Sequence, residues 1–196
     1  MLSGFLINTA PRKSTEDERG SLVELLELMR RRRSIRKYSG EHIADESLQK
    51  ILQAGLLAPS SRAIYPVELV VTREKSVLEK LSDCKAGAAK MLADADAAVV
   101  VVGDTEKSDA WIEDCSLSMM LMQLEASDLD IGSCWVQCRG RKTPDGESTE
   151  DYIRKLMNIP EHFGVLAVLA LGIPAQEIDA HPLPCIDSEK VHRGSF

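Results

Sequence analysis

Six cations and one hydroxyl crowd into eight positions at Arg30-Arg31-Arg32-Arg33-Ser34-Ile35-Arg36-Lys37. Guanidinium groups present fixed forks of donors that match phosphate and carboxylate oxygens, and a serine hydroxyl adds another donor. The run stands out because the whole chain of 196 residues carries a net charge of −7. It also follows apolar residues at helical spacing, and cations favour the C-terminal end of a helix even when they meet only solvent. Spacing alone leaves the anion-binding and the solvated readings both open.

Other chemistries lack their residues. No G-x-G-x-x-G follows a strand and no G-x-x-x-x-G-K-[ST] occurs, so the usual glycines of Rossmann and P-loop nucleotide binding are missing. There is no H-E-x-x-H and no G-x-S-x-G, and His42, His162, His181 and His192 are scattered, so neither a metal site nor a hydrolytic triad has support. The acidic balance disfavours a sequence-independent nucleic-acid binder, which needs a surplus of Lys and Arg. Five cysteines without framework spacing read as reduced thiols. The start, Met1-Leu2-Ser3-Gly4-Phe5-Leu6-Ile7, has no basic n-region and a short apolar run, so the expectation is a cytoplasmic protein without a membrane span.

Hydrophobic residues make up 44% and charged residues 28%, which suits one globular domain. Residues 1–20 are expected to form an arm, mobile or strapping a partner subunit, and residues 21–196 a single domain. Ser21-Leu22-Val23-Glu24 has the form of a capping box, opening a helix that ends near Arg32. Asp45 is placed to cap a second helix with an apolar face of Leu48, Ile51, Leu52 and Leu56, stopping before Pro59. Residues 67–72 read as a strand, and residues 74–82 and 85–92 as short helices. The continuous apolar run Ala97-Ala98-Val99-Val100-Val101-Val102, ended by Gly103-Asp104, predicts a strand covered on both faces. Residues 109–127 read as a helix, buried at the centre or at a dimer interface, 133–137 as a strand and 138–147 as a polar loop. Ser148 and Asp151 then open a helix over Ile153, Leu156 and Met157, and 164–172 form a last buried strand. The tail from 173 is expected along a surface. Helices and strands mix without strict βαβ alternation, giving an α+β domain.

Taken together, segments in a fixed order resemble the nitroreductase family of FMN-dependent oxidoreductases. They are Arg32-Arg33-Ser34-Ile35-Arg36-Lys37-Tyr38, Ala58-Pro59-Ser60-Ser61 before Tyr65-Pro66, the 97–104 strand, Ile131-Gly132-Ser133-Cys134-Trp135, Leu171-Gly172-Ile173-Pro174 and Lys190-Val191-His192. The resemblance implies a central mixed sheet flanked by helices in an intertwined homodimer. It implies that Arg32, Arg33 and Ser34, with Lys190 and His192, enclose the FMN phosphate, and that Arg36 lies beside flavin N1 and the C2 carbonyl. It implies that Pro59, Ser60 and Ser61 reach the flavin of the other subunit, and that a backbone N–H of Gln137, Cys138 or Arg139 faces flavin N5. Where many relatives have Asn-x-Gln-Pro this chain has Ala63-Ile64-Tyr65-Pro66, and Tyr65 could stack or hydrogen-bond at the ring edge. Cys134 and Cys138 read as small buried fillers, and Trp111 and Trp135 as core.

By the same resemblance, the activity is hydride transfer from NADH or NADPH through FMN N5 to a small electron-poor acceptor (nitroaromatic, quinone or flavin), with Arg36 as electrostatic tuner and no side-chain nucleophile. Residues 140–148 and 85–90 are the expected places for substrate contacts. Two alternatives stand beside it: a specialised flavoenzyme such as a reductive dehalogenase or flavin-processing enzyme, and a non-catalytic FMN-binding protein.

Overall fold

The computed structural model describes residues 24–183 and 190–196. The expected N-terminal arm and the Ser21 cap lie outside them. The core is built on two buried strands whose valine, alanine and leucine side chains fill both faces, as the apolar run at 97–102 requires. In chain order the elements are α1 (Leu25–Arg31), α2 (Asp45–Leu56), β1 (Val67–Thr72), α3 (Lys75–Leu81), β2 (Ala97–Asp104), α4 (Trp111–Asp128), β3 (Gly132–Gln137), α5 (Thr149–Met157) and β4 (Phe163–Gly172). Every residue of β2 and β4 is buried.

The strands form one sheet in the order β1-β2-β4-β3, and all three ladders are antiparallel. The mixed sheet expected from the resemblance is thus an antiparallel one, and its parallel pairing is a single bridge between Ser34 and Ser133. Side chains alternate across a strand. Val99 and Val101 therefore meet Ile51, Met119 and Met122 of α2 and α4, whereas Val100 and Val102 meet Leu78, Leu92 and Ile153 on the other face. The ladder between β2 and β4 shifts between Val101 and Val102, whose partners are Ala167 and Val165, so Leu166 is the extra residue of a bulge.

Most helix boundaries follow from local chemistry. Ser148 caps α5 by accepting the Asp151 N–H at 3.4 Å. Asp45, expected as a cap, is instead the first helical residue of α2, with Ala44 at the cap position. The chain before α2 is held by the Asp96 carboxylate, which accepts from the Ile43 N–H at 3.1 Å and pairs with His42 at 2.7 Å. Leu56 was expected on the buried face but is 60% exposed. The helix expected over 85–92 is replaced by a turn and a short 3-10 helix, Lys90–Asp94. Gly87 sits there at φ +71°, a left-handed conformation that ends helical propagation. Residues 173–183 run along the surface, as expected, bonding back to the α1 end: the His181 N–H donates to the Arg30 carbonyl at 2.9 Å. Among the described residues no helix is long and apolar enough to cross a membrane.

Candidate flavin site

The cationic segment leaves α1 and touches the edge of the sheet once. Ser34 bridges Ser133, and the Ile35 N–H donates to the Ser133 carbonyl at 2.9 Å. The chain then departs from β3 and bonds to the stretch after β4, with Ser39 N–H on the Ile173 carbonyl and Ala175 N–H on the Lys37 carbonyl, both at 2.9 Å. Tyr38 fixes this path. Its hydroxyl donates to the Ile35 carbonyl at 2.9 Å, and its ring covers Gly172, where a Cβ would come within 2.5 Å of it.

Alternation then sorts the cations. Ile35 packs over Gly132, and Arg33, of the same parity, donates to the Asp179 carbonyl. Arg32, Ser34 and Arg36 take the other parity. Burial pushes the Cys134 thiol up, while the charges of Arg36, Arg32 and Lys85 pull it down, so all three cations lie within electrostatic reach of it. Arg36 borders a cavity of about 480 Å³ whose other walls are Lys85, Gly87, Ala88, Lys90, Met91, Cys134 and Trp135. Among the described residues no carboxylate lines it. Lys90 pairs with Asp83 at 2.5 Å, but both are exposed, and such a pair contributes about 0.2–1 kcal/mol. A cavity with apolar walls and converging cations concentrates positive potential and suits an anionic aromatic molecule.

Arg33 does not join this group. It borders a separate cavity of about 500 Å³ with Arg31, Ser133, Asp130, Glu177 and Asp179, where charges of both signs mix and Arg31 pairs with Asp130 at 3.0 Å. Conversely, Lys85 and Lys90, which the sequence reading assigned to substrate contacts, share one wall with Arg36. The Gly87 turn that brings them there has no periodic signature.

The end of β3 sets the backbone donors. β3 is the sheet edge, and Ser133 accepts Ile35 on the side away from β4, so the backbone groups of residues 133, 135 and 137 face outward. Cys138 and Arg139 both donate to the Leu166 carbonyl at the bulge, at 3.1 and 3.0 Å. Gly140 N–H is taken by the Glu150 carboxylate at 3.1 Å. Of the three candidate donors, the Gln137 N–H is the one turned to the open edge; those of Cys138 and Arg139 are consumed within the chain. The Gln137 side chain is pinned as well, accepting the Trp135 indole N–H at 2.9 Å. Cys134 and Cys138 are buried, as expected of fillers. Cys138 lies beside Cys84 and donates its S–H to the Val136 carbonyl at 3.3 Å, and the Cys84 sulfur together with burial pushes its thiol up.

The remaining expected residues lie elsewhere in this chain. Pro59, Ser60, Ser61 and Tyr65 sit beyond the C-terminal end of α2 and border neither cavity; Tyr65 is 63% exposed. The Ser60 hydroxyl accepts the Tyr65 N–H at 2.7 Å, leaving its own O–H to donate. Lys190 and His192 are exposed, and His192 stacks on Phe196 with ring centroids 4.2 Å apart. Among the described residues, no hydrogen bond or ion pair joins them to Arg32 or Ser34.

Comparisons with known proteins identify the fold and the family. The FMN-dependent nitroreductase of Clostridium difficile R20291 superposes with a TM-score of 0.84 at 38% identity, covering 87% of this chain and 99% of that one. A protein of Archaeoglobus fulgidus named NADH dehydrogenase/NAD(P)H nitroreductase is 36% identical over 177 residues, 88% of this chain and 98% of the relative. One of the same name from Methanothermobacter thermautotrophicus is 32% identical over 179 residues, 90% of each. The family model described as "Nitroreductase family" matches residues 29–90 and 80–173, segments that carry Arg32, Ser34, Arg36, Lys85, Lys90 and β3, and on this evidence the chain belongs to the nitroreductase family of oxidoreductases.

Proposed function

We propose that this protein is an FMN-dependent oxidoreductase that takes hydride from NADH or NADPH and delivers it to a small electron-poor acceptor. The observation that carries the proposal is the cavity in which Arg36, Lys85 and Lys90 converge on an apolar floor of Cys134, Trp135 and Met91. Its donor set fits FMN: cations without a carboxylate for the electron-rich pyrimidine carbonyls, and an outward backbone N–H at Gln137. When bound, the flavin supplies the redox chemistry, accepting hydride at N5 and releasing it to the second substrate.

The chain's own residues bind, orient and tune. Arg36, with Lys85 and Lys90, holds the pyrimidine end and stabilises negative charge gathering there on reduction. Arg32 and Ser34, on the same face of the extended segment, hold the phosphate, and Arg33 is assigned away from it. Gln137 N–H orients the reactive edge of the ring. Lys190 and His192 join the phosphate group only if the terminal segment folds over it on binding. The Ser60-Ser61 loop borders neither of the two cavities described above, which supports a homodimer whose second copy completes each site.

The test is the visible absorption spectrum of the purified protein before and after anaerobic mixing with NADH or NADPH. A bound flavin band that bleaches within seconds, and returns when a quinone or nitroaromatic is added, is expected. A colourless protein that takes up no FMN would remove the proposal, and a bound flavin that neither nicotinamide reduces would leave a non-catalytic flavoprotein.

A further inference from the structure

The loop from Pro59 to Tyr65 is held in a conformation it would not choose. Arg62, Ala63 and Tyr65 all have φ near +53°, in the left-handed region where a side chain with a Cβ is unfavourable. Such strain persists only where surrounding structure imposes it. The bonds within the loop are short-range ones: Ala63 N–H to the Ser60 carbonyl at 3.1 Å, Ile64 N–H to the Ser61 carbonyl at 3.2 Å, and Tyr65 N–H to the Ser60 hydroxyl. The surface ion pair between Arg62 and Asp109 is open to solvent. One buried side chain from outside ties the loop down. Asp114, in the first turn of α4 and 2% exposed, accepts the Ser61 N–H on Oδ1 at 2.8 Å.

That carboxylate is poorly satisfied otherwise. Its Oδ2 has no hydrogen-bond partner among the described residues, nor has the buried Ser118 hydroxyl one turn further along α4. Burial and the Asp114 charge together push the neighbouring Cys115 thiol up to about 12. A half-satisfied carboxylate inside an apolar layer works against stability. What it gains in return is the loop it holds. The loop continues an exposed apolar surface, with Leu56 and Leu57 on one side and Tyr65 on the other, 60%, 80% and 63% exposed, the surface a second copy would meet.

We infer that Asp114 is a positioning residue: its buried carboxylate holds the Ser61 N–H at the start of the strained Arg62–Tyr65 turn and thereby presents the Ser60-Ser61 hydroxyls to the flavin bound by the second copy of the chain. The inference rests on the flavin reading proposed above and adds to it the device that orders the cross-subunit wall of the site.

The experiment compares Asp114→Ala, Asp114→Asn, Ser61→Ala and Ser61→Pro in the full-length protein by two readouts: hydrogen exchange over residues 59–65 without flavin, and FMN affinity by fluorescence quenching. Asparagine keeps an acceptor for the Ser61 N–H. Proline removes that N–H, and Ser60 already has the extended φ −130°, ψ 154° that a following proline accepts, so the α4 core stays intact if Asp114→Ala fails to fold. Asp114→Ala and Ser61→Pro are expected to speed exchange in the loop and weaken FMN at least tenfold. Asp114→Asn stays within threefold of the wild type on both readouts, and Ser61→Pro binds FMN at least fivefold more weakly than Ser61→Ala. Unchanged loop exchange in Asp114→Ala and Ser61→Pro would overturn the anchor. Faster exchange with wild-type FMN affinity would overturn its link to the flavin. A wild-type protein that binds no FMN instead overturns the flavin reading, and with it the presentation role, while exchange still decides whether Asp114 holds the loop.

Discussion

Arg36 has no ion-pair partner among the described residues; its guanidinium reaches only the Ser34 carbonyl, at 3.5 Å. An exposed cation at the mouth of a cavity is therefore free to act on whatever enters. Charge that accumulates on a reduced flavin is stabilised by a fixed cation beside it, and for a two-electron couple 30 mV corresponds to about 1.4 kcal/mol. Arg36→Ala is expected to lower the midpoint potential of the bound flavin by about 30 mV or more, measured by dye-coupled reductive titration, and an unchanged potential would reject the tuning role. The sequence made the cationic cluster visible, because six cations in an acidic chain are conspicuous. It could not separate Arg33 from Arg32 and Arg36, since that distinction arises from the extended path past Ser133. Nor did it join Lys85 and Lys90 to Arg36, because a long-range contact made by a left-handed turn at Gly87 leaves no period to read.

At the scale of elements, the site segment owes its position to one packing contact. Tyr38 lies flat on Gly172 at the end of β4, and its hydroxyl closes back on Ile35. A methyl group at Gly172 would meet ring atoms at 2.5 and 2.6 Å, near the root of the side chain where rotation cannot relieve it. Overpacking of this kind costs about 1–3 kcal/mol. Gly172→Ala is therefore expected to lower stability in urea by that amount and to weaken FMN binding, because Arg36 is two residues from the displaced ring; retention of full stability would show that the contact yields. The strands themselves were legible, β1 to the residue, since buried β-branched runs have few other solutions. The register shift that makes Leu166 a bulge was not, and it decides which backbone N–H at the end of β3 is spent inside the chain. A bulge is a property of two strands in ladder, so one strand's residues do not announce it.

At the scale of the molecule, the described residues leave apolar side chains uncovered on three neighbouring helices. None of the residues of α1 is buried, and Leu25, Leu26 and Met29 remain 59%, 49% and 42% exposed. α4, against which α1 packs, still exposes Leu117 and Met120, and Leu56 and Leu57 end α2 beside it. Isolated exposed leucines need no explanation, but a cluster shared by three helices marks an interaction surface. The loop anchored by Asp114 adjoins that cluster and borders neither of the two cavities described above, so on the proposed reading one surface would serve both dimerisation and completion of the site. Leu117→Glu places a charge in the middle of it at a position that is already 45% exposed in the chain, which leaves the core of the fold intact. Burying an unpaired carboxylate in such an interface costs several kcal/mol, and each 1.4 kcal/mol is tenfold in affinity. The variant is expected to sediment as a folded monomer at micromolar concentration, with a wild-type far-ultraviolet circular dichroism spectrum and at least tenfold weaker FMN binding. A variant that remains dimeric would place the interface elsewhere. A monomer that binds FMN as tightly as the wild type would show that one chain suffices for the site and that the Ser60-Ser61 loop does not reach it.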